Sequence, residues 1–155
     1  MSGKIFIVED NRFYGHLLKS EIEKFYKDQV VVFTSGDSFI HNMNQNPDIV
    51  IMDHHLGSYQ GVDLVKQIKG SHPKSEIILL SGQNKMSVAV NAFKYGAYDY
   101  LEKNQETFKK LELLIKKIQF EIGERRNNRM QKVLSCLFVI AALSMVLFWT
   151  LSQLK

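Results

Sequence analysis

Ile49-Val50-Ile51-Met52-Asp53 is an unbroken apolar run closed by a carboxylate. A short run of this kind, bounded by polar residues and rich in β-branched side chains, suits a strand covered on both faces. The arrangement recurs along the chain. Ile5 to Val8 is followed by Glu9 and Asp10, Ile77 to Leu80 by Ser81, and Tyr98 to Leu101 by Glu102 and Lys103. In an open parallel sheet the carboxyl ends of the strands share one edge, where ligands bind. Glu9, Asp10, Asp53, Ser81 and Lys103 are therefore expected to meet there, bringing three acids, a hydroxyl and an ammonium together. That set suits a carboxylate nucleophile held beside a divalent cation.

Working outward, strands are expected at Lys4 to Val8, Gln29 to Phe33, Asp48 to Met52, Glu76 to Leu80 and Tyr98 to Leu101. Helical stretches alternate with them. In Phe13 to Tyr26, Leu17, Leu18, Ile22 and Phe25 recur at three-to-four spacing; Val62, Val65 and Ile68 do so in Gly61 to Lys69, and Val90 and Phe93 in Met86 to Tyr95. Pro47 and Pro73 fall just before strands, where a missing N–H is tolerated. Five such pairs imply an α/β fold, a doubly wound parallel sheet with helices on both faces.

A chain of 155 residues, 45% hydrophobic and 23% charged, is sized for about one globular domain. Its net charge of +4 is unevenly spread: residues 1–108 carry 11 Lys/Arg against 13 Asp/Glu, residues 109–132 eight against three. The basicity belongs to one segment, which argues against a nucleic-acid-binding face. The single cysteine, Cys136, excludes an intramolecular disulfide and a cysteine-based zinc site. Adjacent His54 and His55 would diverge at a strand end, and no second His or Cys cluster accompanies them. The start of the chain lacks the apolar stretch of a secretory signal.

The C-terminal segment differs in kind. From Val133 to Ser152 no residue is charged. As a helix, Val133 to Leu151 would extend about 28 Å, close to the roughly 30 Å hydrocarbon core of a bilayer. Arg125, Arg126, Arg129 and Lys132 precede this stretch and only Lys155 follows it. By the positive-inside rule, the expectation is a single transmembrane helix over 133–152, a basic juxtamembrane linker over 123–132, and a domain over 1–122 on the cytoplasmic side of the cell inner membrane. Phe108, Leu111, Ile115, Ile118 and Ile122 form a heptad-like stripe that covers a sheet or, in its outer half, pairs two chains as a homodimer.

Over about residues 3 to 122 these motifs resemble the receiver domain of bacterial two-component response regulators. Ile7-Val8-Glu9-Asp10-Asn11 is similar to the acidic pair ending strand 1, and Ile49 to Asp53 to the strand ending in the phosphorylated aspartate. Gly61 lies eight residues beyond that aspartate. Leu79-Leu80-Ser81-Gly82 resembles the hydroxyl-bearing end of strand 4, and Gly96 to Lys103 the strand 5 signature with its aromatic switch residue and terminal lysine.

The resemblance implies a flavodoxin-like sheet of order 2-1-3-4-5 and a role as a phosphoacceptor switch, not an enzyme, in a phosphorelay. Asp53 would take a phosphoryl group from a histidine kinase or histidine phosphotransfer protein. Mg²⁺ would be held by Asp10, Asp53 and the His55 backbone carbonyl, with Glu9 acting directly or through water. Lys103 and Ser81 would contact the phosphoryl group, and Tyr100 would turn with Ser81 to alter a surface read by a downstream protein at the membrane, with no nucleic acid involved. Gln83 and Asn84 would lie beside the site.

Two alternatives stand beside this reading: a receiver-like membrane scaffold of the same fold that is never phosphorylated, and an aspartyl-phosphate hydrolase with a related strand-end aspartate. The hydrolases normally carry a second acid where His55 stands. Two departures from the family pattern are visible. Leu56-Gly57 replaces the Met-Pro often found after the aspartate, which suggests a more mobile loop. Asn104 replaces the proline after Lys103. A cis bond there would cost about 2.5–4 kcal/mol, so the bond is expected to be trans unless strain is tolerated.

Overall fold

The computed structural model describes the backbone of residues 3–82 and 86–153, and the side chains of those residues up to Met145. Gln83 and Asn84, expected beside the site, lie outside the described residues. The chain divides into two compact units, Met1–Ile115 and Lys116–Lys155.

The first unit runs β1 (Lys4–Val8), α1 (Arg12–Glu23), β2 (Gln29–Phe33), α2 (Gly36–His41), β3 (Ile49–Asp53), β4 (His55–Leu56), β5 (Tyr59–Gln60), α3 (Gly61–Ser71), β6 (Glu76–Ser81), α4 (Met86–Lys94) and β7 (Asp99–Glu102). It closes with the first turns of α5 (Thr107–Gln153), and the rest of that helix forms the second unit.

Five parallel strands form the main sheet in the order β2-β1-β3-β6-β7, which is 2-1-3-4-5 when only its own strands are counted. Strand period sorts the apolar runs into two layers. Phe6, Val8, Val50, Met52, Ile77 and Leu79 share a core with Phe39 of α2, Leu64, Val65 and Ile68 of α3, and Ala92 of α4. The alternate residues Ile5, Ile7, Ile49, Ile51, Ile78 and Leu80 are as deeply buried outside that cluster, as are Leu18 and Ile22 of α1 and Leu111 and Ile115 of α5. Side chains buried on both faces explain why the central strands read as continuous apolar runs.

β1 and β2 have the expected bounds, whereas β3, β6 and β7 reach one residue further toward their carboxyl ends. The ladder itself carries them there. His54 N donates to Leu80 O at 2.7 Å, and Lys103 N donates to Ser81 O at 2.7 Å. Asp53 and Ser81 are thus the last residues of strands, with main chains held by pairing.

Beyond Asp53 the expected mobile loop is instead a two-stranded antiparallel hairpin, β4–β5. Gly57 has φ of +62° and Ser58 does not enter positive φ, the pattern of a type II′ turn with glycine at its first central position. Tyr59 closes the hairpin on α2, its hydroxyl donating to Asp37 Oδ1 at 2.6 Å. Asn104 is likewise settled: no cis peptide occurs among the described residues, and its N–H donates to Thr107 Oγ1 at 2.7 Å, a bond proline could not make.

The described residues of the second unit give the membrane expectation no support. Among the described residues no helix is long and apolar enough to cross a membrane. Val133 to Met145 are exposed along α5, and the side chains of the remainder of the expected 133–152 span lie outside the described residues.

Candidate functional site

Parallel pairing in register brings the ends of β1, β3 and β6 side by side. Val8 faces Met52, and Asp53 faces Leu80. The residues that follow therefore converge. Glu9 is 1% exposed and Asp53 9%, while Asp10 is open to solvent. One carboxylate oxygen from each of Glu9, Asp10 and Asp53 lies within 4.8 Å of the others.

Three acids so close repel one another unless a cation intervenes, and one side chain supplies it. Lys103 Nζ sits 2.7 Å from Glu9 Oε2 and 3.1 Å from Asp53 Oδ1. Main-chain donors add to this. His54 N donates to Asp53 Oδ1 at 2.8 Å, and Asn11 N to Glu9 Oε1 at 3.3 Å.

Burial, which disfavours the charged form, raises the Glu9 carboxyl above its ordinary 4.5. The Lys103 hydrogen bond opposes it, the Asp53 charge reinforces it, and the Lys103 charge and Asn11 N–H oppose it again. Burial likewise disfavours the Lys103 ammonium, but the Glu9 bond and the charges of Asp53 and Glu9 outweigh it and hold the group above 10.5. Both contributions to metal-free stability run the same way with pH. Each is full below the ordinary value of its group and is lost as pH rises through the raised one.

The structure thus brings Glu9, Asp10, Asp53 and Lys103 together. Ser81 ends the adjacent strand, buried at 2% exposure and opposite Glu102 in register. Tyr100 lies in β7 opposite Leu79, half-buried against the α2–α4 side of the core. His55 opens the hairpin with an exposed side chain, its ring 4.5 Å from that of buried His54.

Two residues that the sequence reading passed over also reach the site. The Lys103 ammonium lies 4.7 Å from the centroid of the Tyr14 ring, and fully buried Thr107 bonds the main chain on either side of Lys103. Their only sequence signal was proximity, Tyr14 four residues after Asp10 and Thr107 four after Lys103.

The donor set, three carboxylates with an open solvent-facing member, fits a hard cation that takes oxygen ligands and keeps several waters, as Mg²⁺ does. An ammonium already engaged with two of those carboxylates can also meet an anion attached to Asp53.

Comparison with known proteins identifies the family. The chain belongs to the response regulator receiver domain family, whose family model matches residues 5–117. It is 29% identical over 117 residues to the chemotaxis protein CheY of Thermotoga maritima, covering 75% of this chain and 98% of that protein. It is 33% identical over 72 residues to the DNA-binding transcriptional regulator NtrC of Klebsiella pneumoniae, covering 46% of this chain but only 15% of the regulator.

Among solved structures, a BeF3-activated DrrB receiver domain superposes with a TM-score of 0.70 at 24% identity, covering 77% of this chain and 98% of that one. A response regulator from Chloroflexus aurantiacus gives 0.68 at 26% identity, with 76% and 98% covered.

Proposed function

We propose that this chain is a phosphoacceptor switch of a two-component system in which Asp53 is the acceptor. One observation carries the reading. Asp53 stands at a strand end with a lysine ammonium 3.1 Å from one oxygen and two further carboxylates within 4.8 Å.

The donor is a phosphohistidine on a kinase or a histidine phosphotransfer protein. An Asp53 oxygen forms the new bond to phosphorus as the P–N bond breaks, and the electron pair returns to the nitrogen that held phosphorus, so that a ring protonated on its other nitrogen leaves as neutral imidazole. Such transfer depends on positioning and charge stabilisation rather than on a protein acid or base. Lys103 turns from Asp53 Oδ1 toward a phosphoryl oxygen while keeping Glu9, and Ser81 donates its hydroxyl to another. Glu9, Asp10 and Asp53, with the His55 carbonyl, hold Mg²⁺. When bound, the cation offsets the charge of the carboxylates and of the incoming phosphoryl group.

The added negative charge draws Ser81 inward, and Tyr100 follows into the space that it leaves. The altered surface around α4 and β7 is the output, read by a protein partner. Residues 123–132 and 133–152 act as a basic linker and membrane anchor at the inner membrane. What supports this is the uncharged run of the sequence and the four basic residues ahead of it.

The test is hydroxylamine-sensitive phosphorylation of the full-length chain by a small acyl phosphate with Mg²⁺, followed by transfer from a histidine kinase. Label on Asp53 supports the switch. A folded chain that binds Mg²⁺ yet takes no label from either donor overturns it in favour of a scaffold.

The raised Glu9 carboxyl sets the pH dependence of the metal. Mg²⁺ takes the ionised carboxylate, so its affinity is expected to fall as pH drops through the raised pKa, before the ordinary 4.5 is reached. Titration calorimetry in buffers of different ionisation enthalpy should show proton release on binding in that range. Affinity that stays flat down to 4.5 would remove Glu9 from the metal's surroundings.

A further inference from the structure

We infer that Tyr14 is a positioning residue for Lys103, holding the ammonium with the face of its ring. This rests on the reading of Lys103 as the group that meets the phosphoryl oxygens.

The ring contact comes first. Lys103 Nζ has three N–H groups, and its charged partners are Glu9 at 2.7 Å and Asp53 at 3.1 Å. The Tyr14 ring lies beside the same ammonium, 4.7 Å from centroid to Nζ, within the range at which a ring face attracts a cation. An aromatic face makes no directional demand. It can keep hold of the ammonium while the N–H groups move from Asp53 to a phosphoryl oxygen, where an acceptor side chain would compete with that oxygen.

The main chain around Lys103 is held separately, by Thr107. Thr107 Oγ1 donates to Glu102 O at 3.0 Å and accepts from Asn104 N at 2.7 Å, and these are the two residues that flank Lys103. This hydroxyl, at 0% exposure, thus gives its one proton and accepts another within the fold, as a buried polar group should. The trans peptide and the free N–H of Asn104 make the arrangement possible.

Tyr14 is itself anchored. Its N–H donates to the Asn11 side chain that caps α1, at 3.1 Å, and its ring lies 6.3 Å from that of Phe108. The ammonium of Lys103 is therefore held by a side chain of α1, while its main chain is held by Thr107.

The experiment uses full-length protein carrying Tyr14→Leu, Tyr14→Phe, or phenylalanine with one, two or three ring fluorines at position 14. Phosphorylation by a small acyl phosphate with Mg²⁺ should slow roughly 5–10-fold for Tyr14→Leu and stay near the wild-type rate for Tyr14→Phe, which keeps the ring face, with a stepwise loss as fluorine drains that face. That series leaves shape nearly constant, so a purely structural role would not produce it.

A second readout needs neither metal nor phosphate. The Lys103 ε-proton NMR signals should lie upfield of other lysines in wild type and Tyr14→Phe and return to the ordinary position in Tyr14→Leu. A flat fluorine series, or wild-type rate in a folded Tyr14→Leu, overturns the inference while leaving Asp53 as acceptor. An unlabelled wild type whose ring shift is present overturns the functional reading and this role with it, and a missing ring shift overturns the contact.

Discussion

Replacing Asp53 by asparagine is expected to abolish phosphorylation and, in the absence of divalent cation, to make the fold more stable by about 1 kcal/mol. The first effect follows from the loss of the strand-end carboxylate proposed as the nucleophile, since an amide oxygen is a poor nucleophile. The second follows from the balance of charge. Asp53 gains from Lys103 at 3.1 Å but is repelled by Glu9 and Asp10, whose oxygens lie within 4.8 Å.

At an effective dielectric of about 20, an ion pair at that shorter distance is worth roughly 5 kcal/mol and each repulsion roughly 3.5 kcal/mol, the Asp10 share being reduced by its exposure. Attraction and repulsion nearly cancel. Removing the desolvation penalty of a carboxylate that is 9% exposed then tips the sum toward the amide, which still accepts the His54 N–H. Glu9 should also titrate closer to the ordinary carboxylate value once the Asp53 charge is gone.

Thermal melts without cation should place the variant above wild type. Added Mg²⁺ should reverse the order, because only the wild type keeps all three carboxylates for the cation and gains its full binding energy. A variant less stable than wild type without cation would mean that the Lys103 pair, not the repulsion, dominates the site. Function would then be held at a cost in stability smaller than the geometry implies.

Much of this site was legible because parallel strands report their ends. Asp53, Glu9 with Asp10, Ser81 and Lys103 each terminate an apolar run, and in-register pairing converts shared position along a strand into proximity in space. The hairpin after β3 was not legible. Leu56-Gly57-Ser58-Tyr59 has no alternating apolar pattern, and its pairing depends on Gly57 adopting positive φ and on Tyr59 reaching Asp37, twenty-two positions earlier.

Tyr14 escaped for a related reason. Its neighbours Leu17, Leu18 and Ile22 announce a helix face buried on the sheet, but nothing in that spacing says that the residue one turn earlier meets an ammonium from the far end of the domain. Thr107 looks like an ordinary residue at a helix start until both flanks of Lys103 are seen to end on its hydroxyl. Long-range polar contacts leave no period in the sequence.

Gly61→Ala is expected to cost about 3 kcal/mol of stability and to slow phosphorylation, while the same substitution at Gly70, nine residues along the same helix, should stabilise by roughly 0.5–1 kcal/mol. Gly61 opens α3 directly beneath the end of β3, its N–H donating to His54 O at 2.7 Å. A methyl group on its Cα would come within 2.6 Å of Leu79 Cδ1, 2.7 Å of Asp53 O and 3.0 Å of His54 Cα.

The leucine can turn away, but the other two atoms belong to the main chain that carries Asp53. Relief therefore requires the start of α3 to move off the sheet or the end of β3 to shift, and the second path misaligns Asp53 with Lys103. Gly70 has no atom within 4 Å of where its methyl would stand, so there the alanine brings only better helix propensity.

For a domain of this size a loss of about 3 kcal/mol lowers Tm by roughly 15 °C, well outside the error of a melting curve. Melts of the two variants beside wild type, with labelling by acyl phosphate below Tm, separate the two consequences. A Gly61→Ala chain that melts like wild type would show that the close approach of α3 to β3 relaxes freely. One that melts low yet labels at the wild-type rate would show that the strain is taken up by the helix, leaving the Asp53 carbonyl where it is.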